Sequence, residues 1–322
     1  MSTLRHPLAW SADWIKRRLA PTSDPKTACA LPSCSELKRH WTRLHSQPGA
    51  LLDGRFYCRP QCLEKALVGH ISRLLAMTQP LPPPNRIPLG LLMVARGKLT
   101  HTEVRAALEA QRRGSYCKIG DWFEKLGFAT EQDVTAALAL QWGCPVVSSF
   151  DLAVDLAGVG SPGAIPLPIL EAFQMLPANF ATATNTLYLA FGERVDHAAL
   201  YAIERTLGCR TQPCVAGRKR ISRQIESLRH TNRPNDVEFV THDLGEMARI
   251  ASSYINRLSP EQTHISRLGH FIWLRLQARS AATNLVFNLQ RALASSRISS
   301  LPSLSLPVAA PMLLDVCTQA HD

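Results

Sequence analysis

Four cysteines stand in two close pairs near the start of the chain: Cys29, Cys34, Cys58 and Cys62. Thiolates are preferred ligands of Zn²⁺, and four of them complete a tetrahedral structural site with no position open for catalysis. Disulfides are the other use of paired cysteines, but the amino terminus has no apolar run of signal-peptide length. The spacing therefore predicts a structural zinc site, with His40 and His45 as competing ligands and buried free thiols as the alternative.

The residues around the second pair predict the structure that would hold the metal. The run GRFYCRPQCLEKALVGHISRLLAM places an aromatic strand before this pair and a helix directly after it. This order resembles the treble-clef zinc fingers. We expect a zinc-finger-like module at residues 26–78, which depends on its metal because so short and polar a segment buries little apolar surface. A basic lead-in, residues 1–25, precedes the module, and a proline-rich linker, residues 79–87, follows it.

The positive charge of the chain is concentrated in its first part. The net charge is +11, and residues 1–87 carry 13 Lys and Arg against 5 Asp and Glu. Such a basic segment favours anionic partners, which makes nucleic acid a candidate partner of this module. No apolar run approaches the roughly 20 residues that span a bilayer, so we expect no transmembrane segment and a cytoplasmic location.

An internal duplication follows the linker. Residues 88–111 and 118–141 align without gaps over 24 positions and share eight identities. The identical pairs are Gly90/Gly120, Gly97/Gly127, Thr100/Thr130, Val104/Val134, Ala106/Ala136, Ala107/Ala137, Leu108/Leu138 and Gln111/Gln141. In each copy the second glycine ends a first helix in the left-handed conformation, and a threonine three residues later caps a second helix. The repeat therefore predicts two helical hairpins at residues 88–145. The first glycine of each copy would expose backbone amides to a phosphate.

The two copies resemble the tandem motif of the MshEN domain, the amino-terminal domain of type II secretion and type IV pilus assembly ATPases. In that family, two copies of the motif bind one cyclic di-GMP. The resemblance implies a ligand site formed by Arg86, Leu89, Gly90, Gly97, Leu108, Gln111, Lys118, Ile119, Gly120, Gly127, Leu138 and Gln141. The motif's arginine is replaced by Pro88 in the first copy, two residues after Arg86, and by Lys118 in the second. Because lysine lacks the planar fork of arginine, these replacements predict weaker ligand binding.

The remaining segments complete an α+β fold class. Residues 146–230 predict a small α/β subdomain, similar to the second half of the same family's amino-terminal region. Its basic run at residues 218–223 is interpreted as a solvated helix face. Residues 236–294 predict an α-β-β piece, with an amphipathic helix over 236–258 and a hairpin formed by HFIWLRLQ and TNLVFNLQ. We expect the tail, residues 295–322, to be disordered because it is rich in Ser and Pro.

The sequence carries no signature of catalysis. The full-length ATPases of the resembled family have a phosphate loop of the form GxxxxGK[ST], which this sequence lacks, and no metal-hydrolase or nucleophile motif replaces it. We therefore expect a non-enzymatic bacterial sensor or adaptor that binds cyclic di-GMP and a protein partner in a secretion, pilus or signalling system. The alternative is a zinc-dependent nucleic-acid-binding regulator that uses the helical repeat as a protein-docking platform. An enzyme is the third option.

Overall fold

The structure is a computed structural model that describes residues 29–34, 49–77, 86–114, 117–148, 150, 164–230, 235–279 and 281–289. The predicted lead-in and tail, most of the linker, and both His40 and His45 lie outside the described residues. Helices combined with parallel and antiparallel strands confirm the predicted α+β class. In the described part of the chain, no helix is both long enough and apolar enough to cross a bilayer.

The amino-terminal module consists of a short hairpin and a helix, in the predicted order. β1 (Ala50–Leu52) and β2 (Arg55–Tyr57) pair antiparallel. The two turn residues, Asp53 and Gly54, both have positive φ angles, 47° and 75°, as a two-residue hairpin turn requires. α1 (Pro60–Ala76) follows and begins at a proline, whose fixed φ suits the first helical turn.

The repeat folds into four helices: α2 (Leu89–Ala95), α3 (His101–Arg113), α4 (Ile119–Lys125) and α5 (Glu131–Trp142). Gly97 and Gly127 end the first helix of each copy at φ angles of 67° and 70°. Thr100 and Thr130 each form a capping box with the acidic residue three positions later. These helix ends confirm the hairpins. α2 packs against α5 and α3 against α4, so the two copies form one interleaved unit rather than two independent hairpins.

In the described residues 164–230, a three-stranded sheet and three helices form the middle subdomain: α6 (Leu167–Phe173), β3 (Met175–Ala181), β4 (Thr186–Phe191), α7 (His197–Leu207), β5 (Arg210–Val215) and α8 (Arg218–Arg229). β3 and β4 are antiparallel, whereas β4 and β5 are parallel and are connected by α7. Asp196 caps α7 by accepting the backbone N–H of Ala199 at 3.0 Å. Gly208 ends the helix with a left-handed φ of 66°.

The last segment contains more strands than the sequence pattern predicted. It consists of one helix, α9 (Leu244–Leu258), and four strands: β6 (Asp236–Phe239), β7 (Gln262–Leu268), β8 (Phe271–Gln277) and β9 (Ala282–Asn288). The expected helix and hairpin are present, and β6 and β7 add to them in a sheet of order β6-β9-β8-β7. The start predicted for the helix, residue 236, is wrong. Asp243 caps the helix at its true start by accepting the N–H of Gly245, and residues 236–239 pair with β9 as a parallel strand.

The four-stranded sheet is buried on both faces. Along β8, Phe271 and Trp273 contact the core of the middle subdomain, whereas Ile272 and Leu274 contact the core beneath α1 and α9. α1 packs directly against α9. The amino-terminal module and the final segment therefore share one hydrophobic core, although more than 150 residues separate them in sequence.

Asp53 joins three parts of the fold at the edge of this sheet. Its carboxylate lies 3.3 Å from His70 Nε2 on α1, 3.6 Å from His264 Nδ1 on β7 and 3.3 Å from Arg205 Nη2 on α7. Its backbone N–H also donates to the carbonyl of Thr263 at 2.8 Å. Burial raises the pKa of Asp53, but the contact with His264 and the nearby positive charges outweigh burial and leave this pKa below its usual value.

We expect Asp53→Asn to lower the free energy of unfolding at pH 7 by about 1–2 kcal/mol, because it removes charge-assisted hydrogen bonds that solvent partly screens. A depressed carboxyl pKa contributes stability above the unfolded value of about 4, and this contribution is lost as the pH falls through the folded value. The difference between wild type and variant should therefore shrink as the pH falls from about 5 through the lowered pKa of Asp53, as measured by urea unfolding.

The control for this comparison is Glu261→Gln, which breaks an exposed pair with Arg279 and should change stability little at any pH. Equal unfolding curves for wild type and Asp53→Asn at pH 7 would contradict the assigned role of Asp53.

Candidate functional site

The four predicted cysteines converge in one cluster. The Sγ atoms of Cys34, Cys58 and Cys62 lie 3.6, 4.0 and 3.8 Å apart in their three pairs, and all four sulfurs, including that of Cys29, lie within 4.8 Å of one another. A tetrahedral zinc with bonds of about 2.3 Å places its sulfurs about 3.8 Å apart. The cluster therefore has the ligand type, number and spacing that a structural metal ion needs.

Local hydrogen bonds position the cysteines. The loop that carries Cys29 and Cys34 turns through a bond from the N–H of Cys34 to the carbonyl of Leu31, and Ala30 N–H donates to Phe56 in β2 at 2.8 Å. Cys58 directly follows β2, and Cys62 lies in the first turn of α1. All four side chains are buried, and burial raises the pKa of the Cys62 thiol to about 11. Metal binding would therefore displace thiol protons.

A second candidate site is a pocket of about 390 Å³ between the second copy of the repeat and the middle subdomain. Half of the ligand residues predicted from the motif line it: Leu89, Lys118, Ile119, Gly120, Leu138 and Gln141. The other predicted residues lie outside this lining: Arg86, Gly90, Gly97, Leu108, Gln111 and Gly127. The structure thus brings the second copy of the motif to the pocket, with one leucine from the first copy.

The motif glutamines connect the two copies. Gln111 Nε2 donates to the carbonyl of Cys117 at 2.9 Å, and Gln141 Nε2 donates to the carbonyl of Ile87 at 2.7 Å. The two carbonyls occupy equivalent positions in the repeat, each directly before the motif of the other copy. The glutamines therefore have a structural role that is independent of any ligand, and only Gln141 also reaches the pocket.

The early glycines allow close helix packing. A Cβ atom on Gly90 would lie 3.0 Å from Val104 Cγ1, and a Cβ on Gly120 would lie 3.0 Å from Val134 Cγ1. Both glycines are buried. Packing within each hairpin thus explains why these two positions are glycine. From the sequence, they were explained only by the approach of a phosphate to the backbone amides.

Arg86 contacts a side chain that lines the pocket. Its guanidinium carbon is 3.0 Å from the ring centroid of Trp142, a residue that lines the pocket. Its Nε and Nη1 atoms are buried without a hydrogen-bond partner, and burial lowers the pKa of the side chain. Arg86 therefore supports the aromatic wall by a cation–π contact.

The charged groups of the pocket come largely from outside the motif. Arg218, at the start of α8, donates from Nη1 to Asp121 at 2.6 Å and from Nε to Glu193 at 3.2 Å. Glu193 also contacts the ammonium group of Lys118, whose pKa is lowered by burial. The interpretation of residues 218–223 as a solvated face is therefore wrong for Arg218, which faces the pocket.

Sequence reasoning missed Glu193, Arg194 and Trp142 as pocket residues. Glu193 and Arg194 lie in the loop between β4 and α7, and no local pattern shows that this loop meets the second hairpin. Trp142 directly follows the last residue of the motif, so its position next to Gln141 was a usable signal.

The chain is similar to a few solved structures over less than half of its length. No protein-family model matches the chain, and neither does any curated protein. Among solved structures, MshE with cdg is similar at 24% identity and a TM-score of 0.36, covering 44% of this chain and 99% of that one. Two crystal forms of the N-terminal domain of XpsE are similar at 22% and 21% identity, with TM-scores of 0.33 and 0.27. They cover 43% and 47% of this chain and 91% and 98% of theirs. Similarity at these values carries no argument about function, so the function proposed below is argued from the geometry of this chain's own residues.

Gly120→Val should lower the free energy of unfolding by about 1–3 kcal/mol, because the new side chain would overpack against Val134. Gly69→Ala, in α1 with no atom near the added methyl, is the matched control and should stabilise by about 0.5–1 kcal/mol. Chemical denaturation of both variants tests this. Unchanged stability of Gly120→Val would contradict the packing role.

Proposed function

We propose that the chain is a non-enzymatic adaptor whose pocket at the second motif copy binds an anionic purine nucleotide of the cyclic di-GMP class. The observation that carries this proposal is the convergence on one pocket of six motif residues, among them Lys118, with two further basic residues, Arg194 and Arg218. Those residues come from both copies of the repeat and from the middle subdomain, so a bound ligand would contact three separate elements.

The walls of the pocket suit a purine base. Leu89, Ile119 and Leu138 supply apolar surface, and Trp142 supplies an aromatic ring that also contacts the guanidinium of Arg86 and packs against the core of the middle subdomain. An aromatic ring beside apolar side chains favours base stacking, and a volume of about 390 Å³ falls within the range of small-molecule sites. One nucleotide half of a cyclic dinucleotide would occupy this space.

The basic groups suit the phosphate. Lys118 and Arg218 converge on one carboxylate oxygen pair, that of Glu193, which shows that their donors reach a common anionic group. A phosphate oxygen makes the same kind of charge-assisted hydrogen bond. Because Lys118 replaces the motif's arginine, the site lacks one bidentate donor, and we expect lower affinity than in motifs with both arginines.

Titration with cyclic di-GMP, followed by calorimetry, tests the proposed ligand. Lys118→Ala should weaken binding about tenfold or more, because it removes a charge-assisted contact to phosphate. Arg113→Ala, whose exposed side chain pairs with Glu109 away from the pocket, is the control and should leave affinity unchanged.

Replacing both departures from the motif, Pro88→Arg with Lys118→Arg, should strengthen binding. Absence of binding heat for wild type and for this double variant would remove the ligand and leave the repeat as a scaffold.

We further propose that the cysteine cluster holds one structural Zn²⁺, because its four thiols match the spacing of tetrahedral ligands. Elemental analysis of protein purified without added metal should find one zinc per chain. Cys58→Ser should remove it and lower the melting temperature, whereas Cys144→Ser, a free thiol outside the cluster, should retain it. A metal-free chain whose residues 49–77 remain folded would overturn the proposal.

A further inference from the structure

The basic groups of the pocket already hold a carboxylate. Glu193 has a side chain only 17% exposed and lies between Lys118 and Arg218, with one oxygen on the ammonium group and the other 3.2 Å from Arg218 Nε. A carboxylate that bridges two cations in this way presents its oxygens where the oxygens of a bound phosphate would lie.

The loop that carries Glu193 is held in place by packing. The N–H of Gly192 donates to the carbonyl of Gln174 at 2.9 Å. A Cβ on Gly192 would lie 3.3 Å from Arg218 Cα and 3.4 Å from Ile221 Cδ1, so the backbone of this loop lies directly against α8. Glu193 therefore reaches the cations from a fixed backbone position and does not depend on a mobile segment.

The other charges around the pocket are paired in the same way. Arg218 also contacts Asp121, and Arg194 contacts Asp196 at 3.3 Å. Glu124 pairs with Lys219 at 3.1 Å, and Glu131 accepts the backbone N–H of Lys219 at 2.8 Å. Each basic side chain that lines the described pocket thus has a carboxylate partner, and the lining has four carboxylates for three cations.

We infer that Glu193 is an internal competitor that occupies the anion position of the pocket and determines which anions bind there. This inference rests on the proposed function of the same site. An anionic ligand must displace the carboxylate of Glu193 from Lys118 and Arg218. The displaced carboxylate stays near the ligand and repels it. The pocket therefore selects ligands that replace both contacts of Glu193 at once and whose base also binds the apolar wall.

The substitution that tests this role is Glu193→Gln. The amide keeps the size of the side chain and can still accept a hydrogen bond, but it removes the charge that competes for the cations. Affinity for cyclic di-GMP should rise about tenfold or more, since the charge-assisted contacts of Glu193 with Lys118 and Arg218 no longer have to be broken. Glu226→Gln, which breaks a surface pair with Arg229 on α8, is the matched control and should leave affinity unchanged.

The experiment uses the full chain and two probes, cyclic di-GMP and inorganic pyrophosphate, each titrated into wild type, Glu193→Gln, Glu193→Ala and Glu226→Gln. Circular dichroism and melting curves establish that each variant is folded, and the alanine variant provides a second test should the glutamine variant misfold. The inference expects both Glu193 variants to bind pyrophosphate more tightly than wild type and the control to match wild type.

The outcomes separate the two proposals. Tighter pyrophosphate binding by the Glu193 variants without any cyclic di-GMP binding would support the internal competitor and remove the nucleotide. Cyclic di-GMP binding of equal strength in wild type and both Glu193 variants would support the nucleotide and overturn the competitor. Failure of both probes to bind any of the four proteins would overturn both.

Discussion

The sheet β6-β9-β8-β7, buried on both of its faces, is the constraint on which the rest of the fold depends. Trp273 and Ile272 are adjacent in β8, yet they lie in two different hydrophobic cores. Even the charged residue of this strand, Arg275, is only 5% exposed and donates to the carbonyl of Ala164 at 3.0 Å. Because an isolated sheet with two apolar faces cannot be stable in water, the strands need both α1 with α9 on one side and the middle subdomain on the other.

This arrangement also connects the two candidate sites through α7. The loop before α7 carries Glu193 at the pocket, and the last turn of the helix carries Arg205, which contacts Asp53 in the hairpin turn of the amino-terminal module. Thr206, next to Arg205, donates to Ser266 on β7 at 2.9 Å. The middle-subdomain side of the pocket and the amino-terminal module are therefore connected through α7 and the sheet, whereas the helical repeat on the other side of the pocket has a hydrophobic core of its own.

Sequence reasoning worked where the determinant was local. Gly97 and Thr100 define a helix end and a helix start within four residues, and the cysteine pairs act over short spacings, so both were predictable. It did not work where distant segments decide the outcome. The residues of β6 were predicted as the first part of a helix. The strand could not be recognised locally, because its partner, β9, is almost fifty residues away in sequence. Glu193 belongs to no recognisable sequence motif, and its position in the pocket depends on the packing of a loop against α8.

The two copies of the repeat differ in what they contribute to the pocket. Their glycines, threonine caps and glutamines are identical, because each hairpin needs them for packing, for helix ends and for contact with the other copy. They differ where the second copy meets α8. Asp121, Glu124 and Glu131 contact Arg218 or Lys219, whereas the equivalent positions of the first copy are Leu91, Val94 and His101. Leu91 is 49% exposed.

The carboxylates that dock the second copy on the middle subdomain thus place Lys118 beside Arg218, and the same docking puts Glu193 between them. The contacts that build the pocket are therefore also the contacts that oppose an anion within it.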